Sequence, residues 1–108
     1  MLNTKMLALA TGIVLGAPIM SASALAADGA TLYVEKTCIA CHGPEGRAPA
    51  MNAYPKLNGQ NEPYLMVQMT AIKDGSRSNA HSVAMKNIMH RVSNEEMATI
   101  AKWLAGIK

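Results

Sequence analysis

The chain has 108 residues and a formal net charge of +3, from 10 basic and 7 acidic side chains. Its length favours one domain, and the lack of a basic run together with only 4% aromatic residues argues against a nucleic-acid partner. The chain has no phenylalanine, one tryptophan, three tyrosines and nine methionines, so the core of a small domain is expected to leave room for something large and apolar.

The first 26 residues have the pattern of a cleaved secretory signal peptide. Lys5 precedes an apolar run from Met6, and the run ends in the small-residue site Ala24-Leu25-Ala26. Interruptions by threonine, glycine and proline make this run short for a membrane-spanning helix, which needs about 20 apolar residues. The sequence therefore predicts an exported protein with a cleaved signal peptide over 1–26 and a mature domain over 27–108 that is not inserted in the membrane. An uncleaved anchor is the alternative.

Three segments of the mature part carry helical signals. Asp28 is suited to cap a short helix that runs into the first cysteine. Asn61 and Gly75 mark the ends of a second helix, in which apolar residues recur at i, i+4 and i+7. The third helix has the strongest signal, because Ser93 and Glu96 form a capping box ahead of an apolar stripe.

The remaining segments are expected to be mostly loop. Residues 42–63 hold four prolines and three glycines, which predicts a long loop that wraps around something. Residues 76–92 show no clean apolar period and are expected to contain at most a helical turn. No strand alternation is present, so the sequence predicts an all-α fold with three or four short helices and long loops.

The segment Cys38-Ile39-Ala40-Cys41-His42 holds the only two cysteines of the chain. A thioredoxin-like dithiol needs a strand before the CxxC, and no strand is predicted. A structural zinc site needs four ligands, and adjacent Cys41 and His42 do not easily converge on one small ion. A disulfide between Cys38 and Cys41 would close a very short loop and stabilise little.

Covalent haem accounts for the motif better. The CxxC spacing in a helical turn lets two thioethers reach the two vinyl groups on one porphyrin edge, and His42 then lies beneath the ring as an iron ligand. The export signal, the scarce aromatic residues and the helical pattern agree with this reading. We therefore predict one covalently bound haem c, with Cys38 and Cys41 as its attachment points and His42 as its proximal ligand.

Three segments extend the motif into a family pattern: "CIACHGPEGRAPA", "YPKLNGQNEPYL" and "MKNIMHRVSNEEMATIAKWLAG". With them the chain resembles class I cytochromes c over most of residues 28–106. More narrowly it is similar to small bacterial periplasmic members, including the haem subunit of flavocytochrome c sulfide dehydrogenase and the halves of periplasmic dihaem cytochromes. The resemblance implies the class I cytochrome c fold, wrapped around a single haem.

The resemblance also implies the remaining site residues. In this subgroup the second axial ligand is the methionine eight residues before the cap of the last helix, which is Met85 here, with Met89 as the fallback. His81 and His90 are the alternatives without sulfur. The carbonyl that orients the ligating imidazole belongs to the proline of the "PKLxGQ" loop, here Pro55. The resemblance does not assign the propionate contacts, for which five polar side chains of this sequence are unranked candidates: Tyr54, Tyr64, Lys73, Arg77 and Trp103.

The function that follows from the resemblance is periplasmic electron transfer, with the iron cycling between Fe(III) and Fe(II) and both axial positions filled. The chain is expected to be a carrier rather than an enzyme, with redox partners such as a donor dehydrogenase and an acceptor oxidase or another cytochrome. One alternative is a haem subunit bound permanently to a flavin or molybdenum dehydrogenase that oxidises sulfur compounds. Another is a haem sensor or enzyme with an open sixth position, in which neither Met85 nor Met89 binds the iron.

Overall fold

The structure is a computed structural model that describes residues 27–108, together with Gly12 and Gly16. Apart from these two glycines, the predicted signal peptide lies outside the described residues. Residues 27–108 form five α-helices and no strand: α1 (Gly29–Glu35), α2 (Cys38–His42), α3 (Glu62–Asp74), α4 (Ser82–Met89) and α5 (Asn94–Ala105). The all-α prediction is confirmed, and the helix count exceeds the expected three or four because both the cysteine motif and residues 82–89 are helical. No helix in this range is long and apolar enough to cross a membrane.

Helices α1 and α5 pack against each other at close range. Asp28 caps α1 as predicted, since its Oδ1 accepts a hydrogen bond from the Thr31 amide at 2.8 Å. A Cβ atom placed on Gly29 would lie 2.3 Å from the Trp103 Cβ of α5. Glycine therefore sets how closely these helices approach.

Helix α5 supplies the largest share of the core. Its predicted capping box is present, because Ser93 Oγ accepts from the Glu96 amide at 3.1 Å and Glu96 Oε1 accepts from the Ser93 amide at 2.9 Å. Its apolar stripe is buried as predicted: Met97, Ile100, Ala101 and Leu104. This stripe packs against both α1 and α3.

Helix α3 also agrees with its sequence signals. It follows Asn61, holds Pro63 in its first turn and ends at Gly75, which adopts a left-handed φ of 88°. The buried residues of α3 are those of its predicted face: Leu65, Met69 and Ile72. This face contacts α4 as well as α5.

Helix α4 is the main difference from the sequence analysis, which expected mostly loop over 76–92. Eight residues form a regular helix, although His81 provides no side-chain cap at its start. Val83 on this helix is 60% exposed while Met89 is only 3% exposed. One face of α4 therefore points inward, and it carries both Met85 and Met89 one turn apart.

The connection from α4 to α5 is held by lysines from two other helices. Lys36, at the end of α1, donates from Nζ to the Arg91 carbonyl at 3.0 Å and lies 3.2 Å from a Glu96 carboxylate oxygen. Lys73 of α3 donates from Nζ to the Val92 carbonyl at 2.5 Å. Both charges lie where the negative end of the α4 dipole favours cations.

The segment between α2 and α3 is the predicted long loop. It begins with a 3-10 turn, Pro44–Gly46, and is fastened to the rest of the fold by backbone hydrogen bonds. The Leu57 amide donates to the Gly46 carbonyl, and the Gly59 amide donates to the Leu104 carbonyl, each at 2.9 Å. The loop thus closes over α2 and the end of α5.

Candidate functional site

A cavity of about 330 Å³ occupies the middle of the fold. Close-packed protein cores leave few voids larger than a water molecule, so ordinary imperfect packing does not explain a cavity of this size. All five helices contribute to its mostly apolar wall, which includes Tyr33, Cys38, Met69, Met85 and Leu104. The room for a large apolar group that the composition predicted is therefore present.

His42 lies in this wall with its side chain fixed in one orientation. The residue is 6% exposed, and its Nδ1 lies 2.9 Å from the Pro55 carbonyl oxygen. A carbonyl can only accept, so Nδ1 carries the proton and Nε2 keeps its lone pair. Burial lowers the pKa of His42, and the bond to the Pro55 carbonyl opposes this in part. The imidazole is thereby kept as a neutral nitrogen donor of the kind that binds iron.

The two cysteines lie on the same helix as this histidine. Both carry free thiols and both line the cavity, with Cys38 partly buried and Cys41 exposed. Burial raises the pKa of Cys38 to about 11, which keeps it a neutral thiol at pH 7. Helix α2 therefore presents two thiols and one imidazole to a single wall of the cavity.

The end of α2 is locked by contacts that sequence reasoning missed. The Tyr33 hydroxyl donates to the Gly43 carbonyl at 2.6 Å, which ties α1 to the residue after His42. Gly43 itself has φ 77° and ψ 175°, and a Cβ there would lie 2.0 Å from the Ala48 carbonyl oxygen. This backbone region is accessible essentially only to glycine. Tyr33 and Gly43 therefore fix the direction in which His42 leaves the helix.

The structure separates the candidates for the second axial position. Met85 and Met89 both line the cavity, Met89 as a core residue and Met85 as a partly buried one. Met69 also reaches the wall, from α3, but is packed within the core cluster. His81 lines the cavity from the loop before α4, whereas His90 does not.

The five candidates for propionate contacts also differ in whether they line the cavity. Only Tyr54 and Arg77 line the cavity, whereas Tyr64, Lys73 and Trp103 lie elsewhere. The Arg77 Nη1 donates to Gln68 Oε1 at 3.0 Å, and the Tyr54 ring meets the His81 ring edge-on at a centroid distance of 5.1 Å. These two pairs add polar groups to a mostly apolar wall.

These residues fit a haem better than a bare metal ion. Among the residues from 27 onward, no group of three or more histidine, cysteine, aspartate or glutamate side chains is arranged to hold an ion. A porphyrin instead needs apolar volume, one axial nitrogen and two thiols on one side. The cavity, the His42 Nε2 and the two cysteines meet those needs.

Comparison with known proteins gives the same assignment. A family model described as cytochrome c matches residues 26–108. Cytochrome c-553 of Nitratidesulfovibrio vulgaris is 36% identical over 83 residues, which cover 77% of this chain and 79% of that protein. Cytochrome c4 of Pseudomonas aeruginosa is 44% identical over 71 residues, which cover 66% of this chain and 33% of the relative.

Two further matches concern longer proteins. A protein of Thiomonas intermedia named thiosulfate dehydrogenase electron acceptor is 37% identical over 93 residues, covering 80% of this chain and 42% of that protein. The crystal structure of reduced recombinant cytochrome c4 from Pseudomonas stutzeri superimposes with a TM-score of 0.64 at 25% identity, over 80% of this chain and 50% of that one. The chain therefore spans about half or less of these longer proteins, but most of cytochrome c-553.

Proposed function

Because the chain belongs to the cytochrome c family, we propose that it is a periplasmic electron carrier with one haem c held between His42 and Met85. Electron transfer by a covalently bound haem c is the activity that the family implies, and the chain is a carrier rather than an enzyme. The bound haem supplies a one-electron Fe(III)/Fe(II) couple. The residues of the chain determine how the haem is attached, what its reduction potential is and where partner proteins can dock.

The observation that carries the proposal is the short contact between His42 Nδ1 and the Pro55 carbonyl oxygen. The Nδ1–H of His42 is committed to the Pro55 carbonyl at 2.9 Å, so the other ring nitrogen is the one left for a metal. Pro55 is suited to this role because its ring restricts the loop backbone while its carbonyl stays available. In the same wall, Cys38 and Cys41 offer the thiols that a covalent link needs.

We assign the sixth iron position to a sulfur of α4. A thioether ligand favours Fe(II) and raises the reduction potential, as suits a carrier. Met85 is supported by its place on the cavity wall, where it is only partly buried, and by its position eight residues before the cap of the last helix. Met89 is a core residue at 3% exposure, which is explained by packing alone.

The exposed side of α2 is the proposed approach for redox partners. Cys41 is exposed at the protein surface, and the adjacent loop leaves Met51 44% exposed. A cofactor attached at Cys41 therefore has an edge close to solvent, where a partner protein can dock through a small transient interface. The expected partners are a donor dehydrogenase and an acceptor oxidase or another cytochrome.

The periplasm is the proposed location, with residues 1–26 as the cleaved signal peptide and 27–108 as the mature haem domain. The three-part pattern of the first 26 residues supports this. Edman sequencing of the mature protein from a periplasmic extract tests it. A new terminus at Ala27 is expected, and recovery of an uncleaved chain in the membrane fraction would contradict it.

A second candidate is a haem subunit bound to a dehydrogenase that oxidises sulfur compounds. It is favoured by the relatives named thiosulfate dehydrogenase electron acceptor. Size-exclusion chromatography of the native extract, followed by haem staining, separates the two candidates. A free carrier elutes at the mass of the mature chain, whereas a subunit elutes with a flavin or molybdenum protein.

A redox titration with carbon monoxide as a probe tests the carrier function itself. The purified protein should cycle reversibly between Fe(III) and Fe(II), and its reduced form should not bind carbon monoxide at neutral pH. Ready carbon monoxide binding would indicate an open sixth position and would favour a sensor or enzyme instead.

A further inference from the structure

We propose that a second copy of this chain docks transiently on the uncharged surface around the mouth of the cavity, so that a reduced and an oxidised copy exchange an electron directly. The inference rests on the proposed function, since it needs a haem in the cavity. It goes further by naming a partner and the chemistry of the surface that this partner meets. One electron passes between two identical proteins, and the step needs no proton, oxidant or other reactant.

The mouth of the cavity is marked by residues that line the cavity and are also exposed. Most of them lie in the loop before α3 or in the segment that leads into α4: Ala53, Pro55, Asn79, Ala80, His81 and Ala84. The two segments meet where the Tyr54 ring lies edge-on to the His81 ring, with centroids 5.1 Å apart. We call the exposed surface of residues 51–55 and 79–84 the rim.

The rim is mostly apolar and carries no formal charge. Neither of its segments contains a lysine, arginine, aspartate or glutamate. Two large apolar side chains of the rim face solvent, since Met51 is 44% exposed and Val83 is 60% exposed. The Tyr54 amide donates to the Met51 carbonyl at 3.0 Å, so a turn holds Met51 close to the ring contact. Affinity at the rim must therefore come from burial of apolar surface rather than from ion pairs.

The charged residues closest to the rim leave its middle uncharged. Arg77 lines the cavity but is partly buried, and it donates to Gln68 Oε1 at 3.0 Å. Lys86 reaches the end of α3, because a Cβ atom placed on Gly75 would lie 2.9 Å from the Lys86 Nζ. Lys56 is exposed and directly follows the first segment of the rim. Lys56 therefore places a charge at the border of the rim and not within it.

The absence of charge from the rim indicates the kind of partner that fits it. A strongly charged surface would lose hydration at the rim without gaining an ion pair, which costs free energy. A second copy presents the same uncharged rim, so the two copies can form a self-complementary contact that buries no charge. Repulsion between the copies at long range is weak, because residues 27–108 carry nine basic and seven acidic side chains.

The size of the rim indicates a brief contact. It consists of two short segments, whereas a stable interface uses about 20 to 30 residues on each side. A second apolar face is present on α3, where Tyr64 is 53% and Val67 is 61% exposed. Neither of these residues lines the cavity, so docking on α3 would not bring two cavity mouths together. The rim is therefore the surface that suits electron exchange.

The test is the electron self-exchange rate of half-reduced holoprotein, measured by NMR exchange spectroscopy at pH 8, where a histidine side chain is ordinarily neutral. The wild-type rate should change by less than about threefold between about 0.02 and about 0.5 M salt, because the contact holds no charge to screen. Val83→Lys places like charges in both rims, so the rate should fall at least about tenfold at low salt and recover in part at high salt. Val67→Lys is the control, since it makes the same change at an equally exposed residue outside the rim, and it should stay within about threefold of wild type.

A second readout uses fully reduced protein, in which no electron can be exchanged. Raising the protein concentration should shift the amide NMR signals of rim residues such as Met51 and Val83. Shifts confined to the apolar face of α3 would overturn the inference, because the copies would then meet elsewhere.

Three results of the rate measurement would also overturn it: a wild-type rate that varies with salt by more than about threefold, equal slowing in Val67→Lys, or a rate in Val83→Lys that stays within about threefold of wild type. If Val83→Lys yields no folded holoprotein, Met51→Lys carries the test from the other segment, with the same expected fall. A wild-type protein that does not cycle reversibly between Fe(III) and Fe(II) would instead refute the proposed function, so the two failures are distinguishable.

Discussion

The assignment of the sulfur ligand makes opposite predictions for two methionines one turn apart on α4. Met85→Ala should abolish the weak far-red Fe–S(Met) charge-transfer band of the oxidised protein and lower its reduction potential, because the sulfur that favours Fe(II) is removed. Met89→Ala should keep the band. Its effect should be on stability, because Met89 is packed in the core at 3% exposure.

The size of the Met89 effect follows from its burial. Truncation of a fully buried methionine to alanine costs about 2 to 5 kcal/mol, as lost transfer free energy plus a cavity term. For a small domain each kcal/mol shifts the Tm by roughly 4 to 8 °C. Met89→Ala should therefore lower the Tm by at least about 8 °C. Met89→Leu conserves volume and should cost less than about 1.5 kcal/mol.

The assay is a visible spectrum of each oxidised holoprotein, combined with thermal unfolding followed by circular dichroism. Loss of the far-red band in Met89→Ala with retention in Met85→Ala would move the ligand to Met89. Retention of the band in both single variants would refute ligation by either sulfur and would leave Met69 as the cavity-lining alternative.

Three further predictions concern the scaffold. A hydrogen bond from the Ser93 amide, with help from Lys36, lowers the pKa of Glu96. The ionised carboxylate therefore stabilises the folded state fully at a pH above its unfolded-state pKa. This contribution is lost as the pH falls through the lower folded-state pKa. Glu96→Gln should therefore flatten the acid side of the stability profile in denaturant titrations. Lys73→Met should cost about 1 to 3 kcal/mol, because the carbonyl that it satisfies lies in the connection between α4 and α5. Gly43→Ala should cost at least about 1 to 3 kcal/mol from its backbone conformation alone and should lower the yield of holoprotein.

Matched controls exist for each of these variants. Glu95→Gln changes the neighbouring exposed carboxylate, which takes no part in the capping box, and an equal flattening there would contradict the role of Glu96. Lys102→Met removes an exposed lysine of α5 and should be nearly neutral. Gly106→Ala should also be mild, since its φ is −82° and a Cβ there would meet nothing closer than 3.6 Å.

The helices that could be predicted are those with local start and stop signals. Helix α5 has a capping box and α3 has a glycine in left-handed conformation at its end, so their bounds follow from short-range chemistry. Helix α4 lacks such signals. His81 provides no side-chain cap, and the apolar residue Val83 lies on the exposed face, which obscures the helical pattern of apolar residues. Its existence depends on the cavity and on α3, which are contacts distant in sequence.

The site residues likewise divide into those indicated by local sequence and those that depend on contacts distant in sequence. Cys38, Cys41 and His42 are adjacent in sequence, so their spacing alone indicated their chemistry. The contact of His42 with Pro55 was implied only by the resemblance, and the bond of Tyr33 to Gly43 had no sequence signal. Arg77 was only one of five unranked candidates, and its bond to Gln68, which depends on the tertiary fold, had no sequence signal.

The covalent attachment of haem at Cys38 and Cys41 is the central claim, and intact mass spectrometry of the protein under denaturing conditions tests it most directly. The account predicts that the mature chain carries the mass of one haem and stays haem-stained after denaturing electrophoresis. It also predicts that Cys38→Ser combined with Cys41→Ser abolishes both signals. A wild-type chain whose haem is removed by acidic organic extraction, or which carries none when made with the haem-attachment machinery, would contradict the account.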